Sequence, residues 1–285
     1  MDKFFNAKML SLYKKITIKV FLALVLIFLY LPIIWLIVFS FTESVSFDTW
    51  TGFSFNAYKE LFHGPNSIVI RQAFGNTLLV GVITAIISTI LGTFAAIGIY
   101  ATRNKIAKNL YNSVSEIPMV NAEIITAIAL MLLFSVFRSI FKVSNLATSF
   151  LTLMLIHISF CTPYVILNVM PRLKGLDKNL YEAAIDLGAK PYQAMIKVII
   201  PQLLPGIITG GLLAFTLSID DFVITQYNID GFQTISTYIY STFSGKKSLP
   251  PEIRALTTFI FIFLLGILTI ITVKSNMVAT EKEKK

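Results

Sequence analysis

Six stretches of the chain, 17–41, 73–101, 117–137, 148–171, 203–224 and 255–274, are long, apolar and almost free of charge. About 20 apolar helical residues cross the hydrocarbon core of a bilayer. Inside lipid the backbone must satisfy its own hydrogen bonds, and a helix does so locally. Each run therefore reads as a transmembrane helix, and the fold expected is an all-α integral membrane bundle of six spans. The composition agrees. Of 285 residues, 55% are hydrophobic and 14% are charged, against roughly a quarter charged in soluble domains. The first run follows a lysine-bearing tail but lacks a small-residue cleavage site and is longer than a signal-peptide core, so it reads as a retained span.

Lysine and arginine set the orientation. Lys3, Lys8, Lys14 and Lys15 precede the first run and Lys19 lies at its start, and Arg103, Lys105 and Lys108 follow the second. Arg172, Lys174, Lys178, Lys190 and Lys197 lie between the fourth and fifth runs, and Lys274, Lys282, Lys284 and Lys285 close the chain. The opposite face keeps only Lys59, Arg71, Arg138, Lys142, Lys246, Lys247 and Arg254. Both termini and the segment 172–202 are thus expected in the cytoplasm. The net charge of +9 is spread over short links between spans rather than gathered in a stripe, so nucleic acid is not an expected partner. A single cysteine, Cys161, excludes a disulfide framework or thiolate metal site, and two scattered histidines, His63 and His157, make a histidine metal site unexpected. His157 and Cys161 read as packing residues of the fourth span, in which Pro163 introduces a kink. Gly92, Ala95, Ala96 and Gly98 suit close helix crossings.

The polar segment between the fourth and fifth spans reads as a helical hairpin. Asp177 is a candidate N-cap, and Leu180, Ala183, Ala184 and Leu187 share one face, with Lys178, Glu182 and Asp186 on the other. Gly188 suits the left-handed residue that ends a helix, and Pro191 suits the first turn of the next. Pro201 and Pro205 are expected to stop that second helix and restart the chain into the membrane. The spacing Glu182-Ala183-Ala184, three residues, Gly188, nine residues, then Val198-Ile199-Ile200-Pro201 resembles the cytoplasmic signature of permease subunits of ATP-binding-cassette importers. The stretches "YLPIIWLIVFSF", "NTLLVGVITAIISTILGTFAA", "HISFCTPYVILNVMPRL", "LSIDDFVIT" and "EIRALTTFI" resemble the spermidine/putrescine branch of that family.

The resemblance implies a coupling hairpin seated in a groove of a separate ATPase, with Glu182, Ala183, Ala184, Asp186, Gly188 and Pro201 as its functional residues. It implies residues 1–71 as tail, first span and outer loop, 72–274 as a five-helix permease core, and 275–285 as a cytoplasmic polar tail. It implies as partners a second homologous permease subunit, two ATPase subunits, an extracellular or periplasmic solute-binding protein and membrane lipid, in a bacterial inner or plasma membrane. The chain is expected to bind no cofactor itself, with ATP and Mg on the ATPase subunits. The nearest approach to a phosphate loop, "STFSGKKS", has Tyr240 where the first glycine belongs and Lys247 where a hydroxyl belongs.

Charges inside spans are expensive and usually face the bundle interior or water. Asp220 and Asp221 come ~25 Å along the fifth span at the helical rise, near its outer end. They either draw in a cationic solute or have a structural role, capping a broken helix or binding an outer-loop lysine. Glu123, with Asn121, either lines the solute pathway or satisfies backbone at a helix irregularity. The aromatic outer loop 42–72 is a docking surface or an interfacial belt. Tyr227, Phe232, Tyr238 and Tyr240 could stack on a cation or anchor the loop they lie in. Two other functions stay open on the residues. One is an importer permease for ferric iron, sulfate or another small solute. The other is a transporter that works without an ATPase, although no paired broken spans suggest one. No nucleophile, base and ligand constellation suggests an enzyme.

Overall fold

Long apolar runs have no polar partners for their backbone except themselves, and the described chain is correspondingly helical. The computed structural model describes residues 2–102, 123–141, 146–177, 179–228, 231–244 and 249–283, and none of these lies in a strand. The long helices are α1 (Asp2–Phe39), α3 (Ser67–Ala101), α4 (Glu123–Phe141), α5 (Leu146–Gly175), α8 (Ile200–Asp220) and α11 (Pro251–Glu283). Between them lie the short α2 (Asn56–His63), α6 (Asn179–Asp186), α7 (Pro191–Ala194), α9 (Val223–Asn228) and α10 (Ile235–Phe243). Among the described residues, four helical stretches are long and apolar enough to cross a membrane: Ile16–Phe39, Ser67–Ala101, Phe150–Gly175 and Pro191–Asp220. Glu123–Phe137 is apolar but shorter, and the rest of the third run, 117–122, falls outside the described residues. The sixth run lies within α11.

Two helix boundaries differ from the sequence reading. Pro201 and Pro205 do not stop a helix, because the chain runs helically from Pro191 to Asp220. The turn Met195–Ile199 widens to a π-helix, in which the Ile200 N–H bonds the Met195 carbonyl. Proline lacks an N–H and its ring crowds the carbonyl four residues back. A single widened turn relieves that crowding without breaking the helix. The fifth apolar run is interrupted in its turn. α8 ends at Asp220, Asp221 is extended (φ −62°, ψ 124°), and α9 restarts at Val223.

The chain falls into two compact units. One comprises residues 1–67 and 245–269. Here the segment after α1 is held by its own hydroxyls, Thr42 to Thr51 at 3.0 Å and Ser44 to Thr49 at 2.6 Å. Phe41 stacks on Phe53 with ring centroids 5.2 Å apart. Arg254, fully buried, donates to the Ser44 carbonyl and lies 5.1 Å over the Phe47 ring. A long cationic side chain thus ties the start of α11 to this loop.

The other unit comprises residues 68–244 and 270–285. Its centre is the packing of α5 on α8, with Val165, Val169, Leu173, Leu203 and Ala214 buried. Val165 is a crossing point that two helices share. A Cβ at Gly92 of α3 would sit 2.7 Å from the Val165 Cβ, and one at Gly210 of α8 would sit 3.2 Å from its Cα. Small residues at such points let helix backbones approach. Gly98 has open space around it instead.

Candidate functional site

The hairpin is built from local hydrogen bonds. Asp177 Oδ1 accepts from the Asn179 N–H at 3.0 Å, starting α6. At the other end Gly188 is left-handed (φ +84°). The Ala189 N–H bonds the Ala184 carbonyl at 3.0 Å and the Gly188 N–H bonds that of Ile185 at 2.8 Å. That pair of bonds is the Schellman ending, which a residue without Cβ adopts at no steric cost. Pro191 opens α7, where Gln193 Oε1 accepts from the Lys190 N–H at 3.0 Å.

The expected apolar face of α6 is divided. Ala184 is buried and Leu180 packs against the core of its unit. Ala183 is exposed, and Leu187, one residue past the helix end, is 90% exposed. Glu182 and Asp186 are exposed one helical turn apart. Tyr192 and Ile196 are exposed as well. The hairpin thus carries carboxylates and unpartnered apolar groups on its accessible side, with Gly188 exposed at its tip and Pro201 half-buried at its base.

The second candidate region is the break between α8 and α9, where the two adjacent acids diverge. Asp221 is turned inward, with its side chain 4% exposed. Its Oδ1 accepts from the Ile224 N–H at 3.1 Å, and its Oδ2 accepts from the Thr225 N–H at 2.8 Å and the Thr225 hydroxyl at 2.7 Å. It therefore satisfies donors that the first turn of α9 would otherwise leave open. Asp220 is exposed. Beyond the break, Phe222 packs on Tyr240 with ring centroids 4.4 Å apart.

His157, Ser218 and Thr225 join this region. His157 of α5 is buried, as a packing residue is, yet it is also hydrogen-bonded. Its Nδ1 lies 2.9 Å from Ser218 Oγ and its Nε2 lies 3.0 Å from Thr225 Oγ1 and 3.6 Å from Asp221 Oδ2. Thr225 spends its hydroxyl proton on Asp221, so its oxygen accepts from His157 Nε2–H. The other ring nitrogen then accepts from Ser218. The four-residue step from Asp221 to Thr225 signals the cap, whereas nothing local to the sequence signals the histidine.

The remaining candidates are more scattered. Glu123 is the exposed first residue of α4. α9 packs against α4, with Asn228 Nδ2 bonded to the Ala127 carbonyl at 3.4 Å. Asn121 lies outside the described residues, as do Lys246 and Lys247 of the loop that follows α10. No group of His, Cys, Asp and Glu fit to hold a metal ion occurs among the described residues.

Residues 88–276 match the family model described as binding-protein-dependent transport system inner membrane component. The chain is 33% identical to the spermidine/putrescine transport system permease protein PotC of Haemophilus influenzae, over 90% of this chain and 96% of that one. It is 35% identical to the putrescine transport system permease protein PotI of Escherichia coli, over 82% of this chain and 81% of that one. The fold is shared with a chain of a bacterial ABC transporter involved in import of the acidic polysaccharide alginate. That match has a TM-score of 0.68 at 17% identity and covers 90% of this chain and 94% of the other.

Proposed function

The chain belongs to the family of binding-protein-dependent transport system inner membrane components, and on that premise we propose that it is the permease subunit of an ATP-driven polyamine importer. It moves a solute and catalyses no reaction. The observation that carries the solute is the 33% identity, over 90% of the chain, to a spermidine/putrescine transport permease. The alginate-related neighbours support only the fold, since their identity is 17%.

In this reading the bundle has six spans with both termini cytoplasmic, and residues 72–274 form the core. A second permease completes the passage, a binding protein delivers the solute from outside, and two ATPase subunits supply the work. The hairpin is the point of grip. Glu182 and Asp186 offer charge-assisted hydrogen bonds to the ATPase, and Ala183 and Gly188 let its surface come close. Exposed Leu187 and Tyr192 supply apolar area to bury. Ala184 serves the opposite side, fixing the hairpin to its own unit, and Pro201 forces the π-turn that joins it to α8. Because the helix is unbroken from Pro191 to Asp220, a push on the hairpin reaches the acid break along one rigid element. At that far end a carboxylate attracts a multiply cationic amine as it leaves the binding protein, and Glu123, with Asn121, lines the passage farther in.

The test is reconstitution of the chain with its partner permease, ATPase subunits and binding protein in liposomes. ATP-dependent uptake of spermidine, putrescine, ferric iron and sulfate is compared. The expected outcome is uptake of the polyamines alone. Accumulation of iron or sulfate in their place would reject the polyamine assignment while leaving the family intact.

A further inference from the structure

A helix cap needs only an acceptor, and the break between α8 and α9 holds more than that. Asp221 and Thr225 already complete the cap through the bonds to the Ile224 and Thr225 N–H groups. His157 adds a tie from a different helix, bonded on one side to Thr225 at 3.0 Å and on the other to Ser218 at 2.9 Å. The His157 side chain is 1% exposed and that of Asp221 is 4% exposed. Turning Asp221 outward would leave the Thr225 hydroxyl and two N–H groups without their acceptor, a costly change where water cannot replace it. The carboxylate is therefore locked inward. Asp220 is exposed and has no hydrogen-bond or ion-pair partner among the described residues.

We propose that the chain Ser218–His157–Thr225–Asp221 is a latch that makes the two adjacent acids unequal. Asp221 is a positioning residue that holds the helix break, and Asp220 is the carboxylate left facing outward to meet an ammonium group of the solute. The Asp220 half rests on the polyamine reading above, whereas the latch half does not. If the acids were equivalent, charge alone would matter at both. If they are unequal, charge matters at 220 and geometry at 221.

The experiment uses the reconstituted complex and two readouts, spermidine uptake and binding-protein-stimulated ATP hydrolysis. Asp220→Asn is expected to lower uptake roughly tenfold, as loss of one charge-assisted contact does, with Asp220→Glu close to wild type. At Asp221 both substitutions should fail. Asp221→Glu keeps the charge but overreaches the cap, and Asp221→Asn keeps one acceptor oxygen where two are used and turns an NH2 toward a donor, so each lowers uptake and hydrolysis alike. His157→Leu and Thr225→Val should behave like Asp221→Glu, and Thr225→Ser, which restores the hydroxyl, should recover. The double variant His157→Leu/Asp221→Glu should be no worse than either single change, because both break one unit. All variants are compared at equal amounts of monodisperse protein.

Full activity of Asp221→Glu with loss in Asp221→Asn would overturn the latch, as would multiplicative losses in the double variant. Unchanged uptake by both Asp220 variants would overturn the assignment of Asp220. A wild-type complex that imports no polyamine would reject the solute reading. The hydrolysis pattern would still decide the latch in that case.

Discussion

At the residue scale, Glu182 and Asp221 show why two carboxylates in one chain take different roles. Glu182 is exposed on a short helix whose own face is polar, so its charge costs nothing to keep in water and is free to meet a partner. Asp221 is buried, and only the three hydrogen bonds it accepts make that tolerable. Replacing Glu182 with lysine reverses the charge without touching the core. The expected outcome is loss of ATP-driven uptake, with wild-type amounts of protein in the membrane and no ATPase retained when the complex is captured. Normal uptake by Glu182→Lys would remove the coupling role. Glu182 was legible in the sequence because its neighbours Ala183, Ala184 and Gly188 keep a fixed spacing. The inward turn of Asp221 was legible only as one of two alternatives, and the bond from His157 to Thr225 behind it was not legible at all.

At the element scale, the hairpin and the α3–α5–α8 crossing depend on different kinds of information. The hairpin is specified by bonds between residues a few positions apart, so Asp177, Gly188 and Pro191 could be read directly. The proline at 201 misled because a lone proline in sequence reads as a stop, yet one widened turn keeps the helix running. The crossing is a matter of contact between distant helices. Gly92 and Gly98 look alike in sequence, but only Gly92 faces Val165 closely. Gly210→Val is expected to wedge α8 from α5, since even a Cβ there would lie 3.2 Å from the Val165 Cα. Overpacking of this kind costs ~1–3 kcal/mol. It should lower the melting temperature of the purified protein in detergent, while Gly98→Ala, which meets open space, should leave it unchanged. Equal melting of the two variants would mean that the crossing relaxes freely.

At the scale of the whole molecule, the described chain is made of apolar helices with a polar hairpin between α5 and α8. Leu187, 90% exposed at the tip of α6, is the natural place to ask which side of the membrane the hairpin occupies. With Cys161 replaced by serine, Leu187→Cys should react with a membrane-impermeant maleimide in inside-out vesicles and not in right-side-out ones. Added ATPase subunits should protect it. Labelling from the outer side would invert the orientation deduced from lysine and arginine and, with it, the coupling mechanism. By itself the sequence determined the long apolar helices, because lipid leaves an apolar run no other way to satisfy its backbone. It determined the hairpin as well, because caps and turns act over a few residues. Only the tertiary structure decided which of two neighbouring aspartates turns inward. The cap bonds are local, but the tie from this break to α5 is His157, 61 residues from Ser218 and 68 from Thr225 in the chain and brought to both by the packing of α5 on α8.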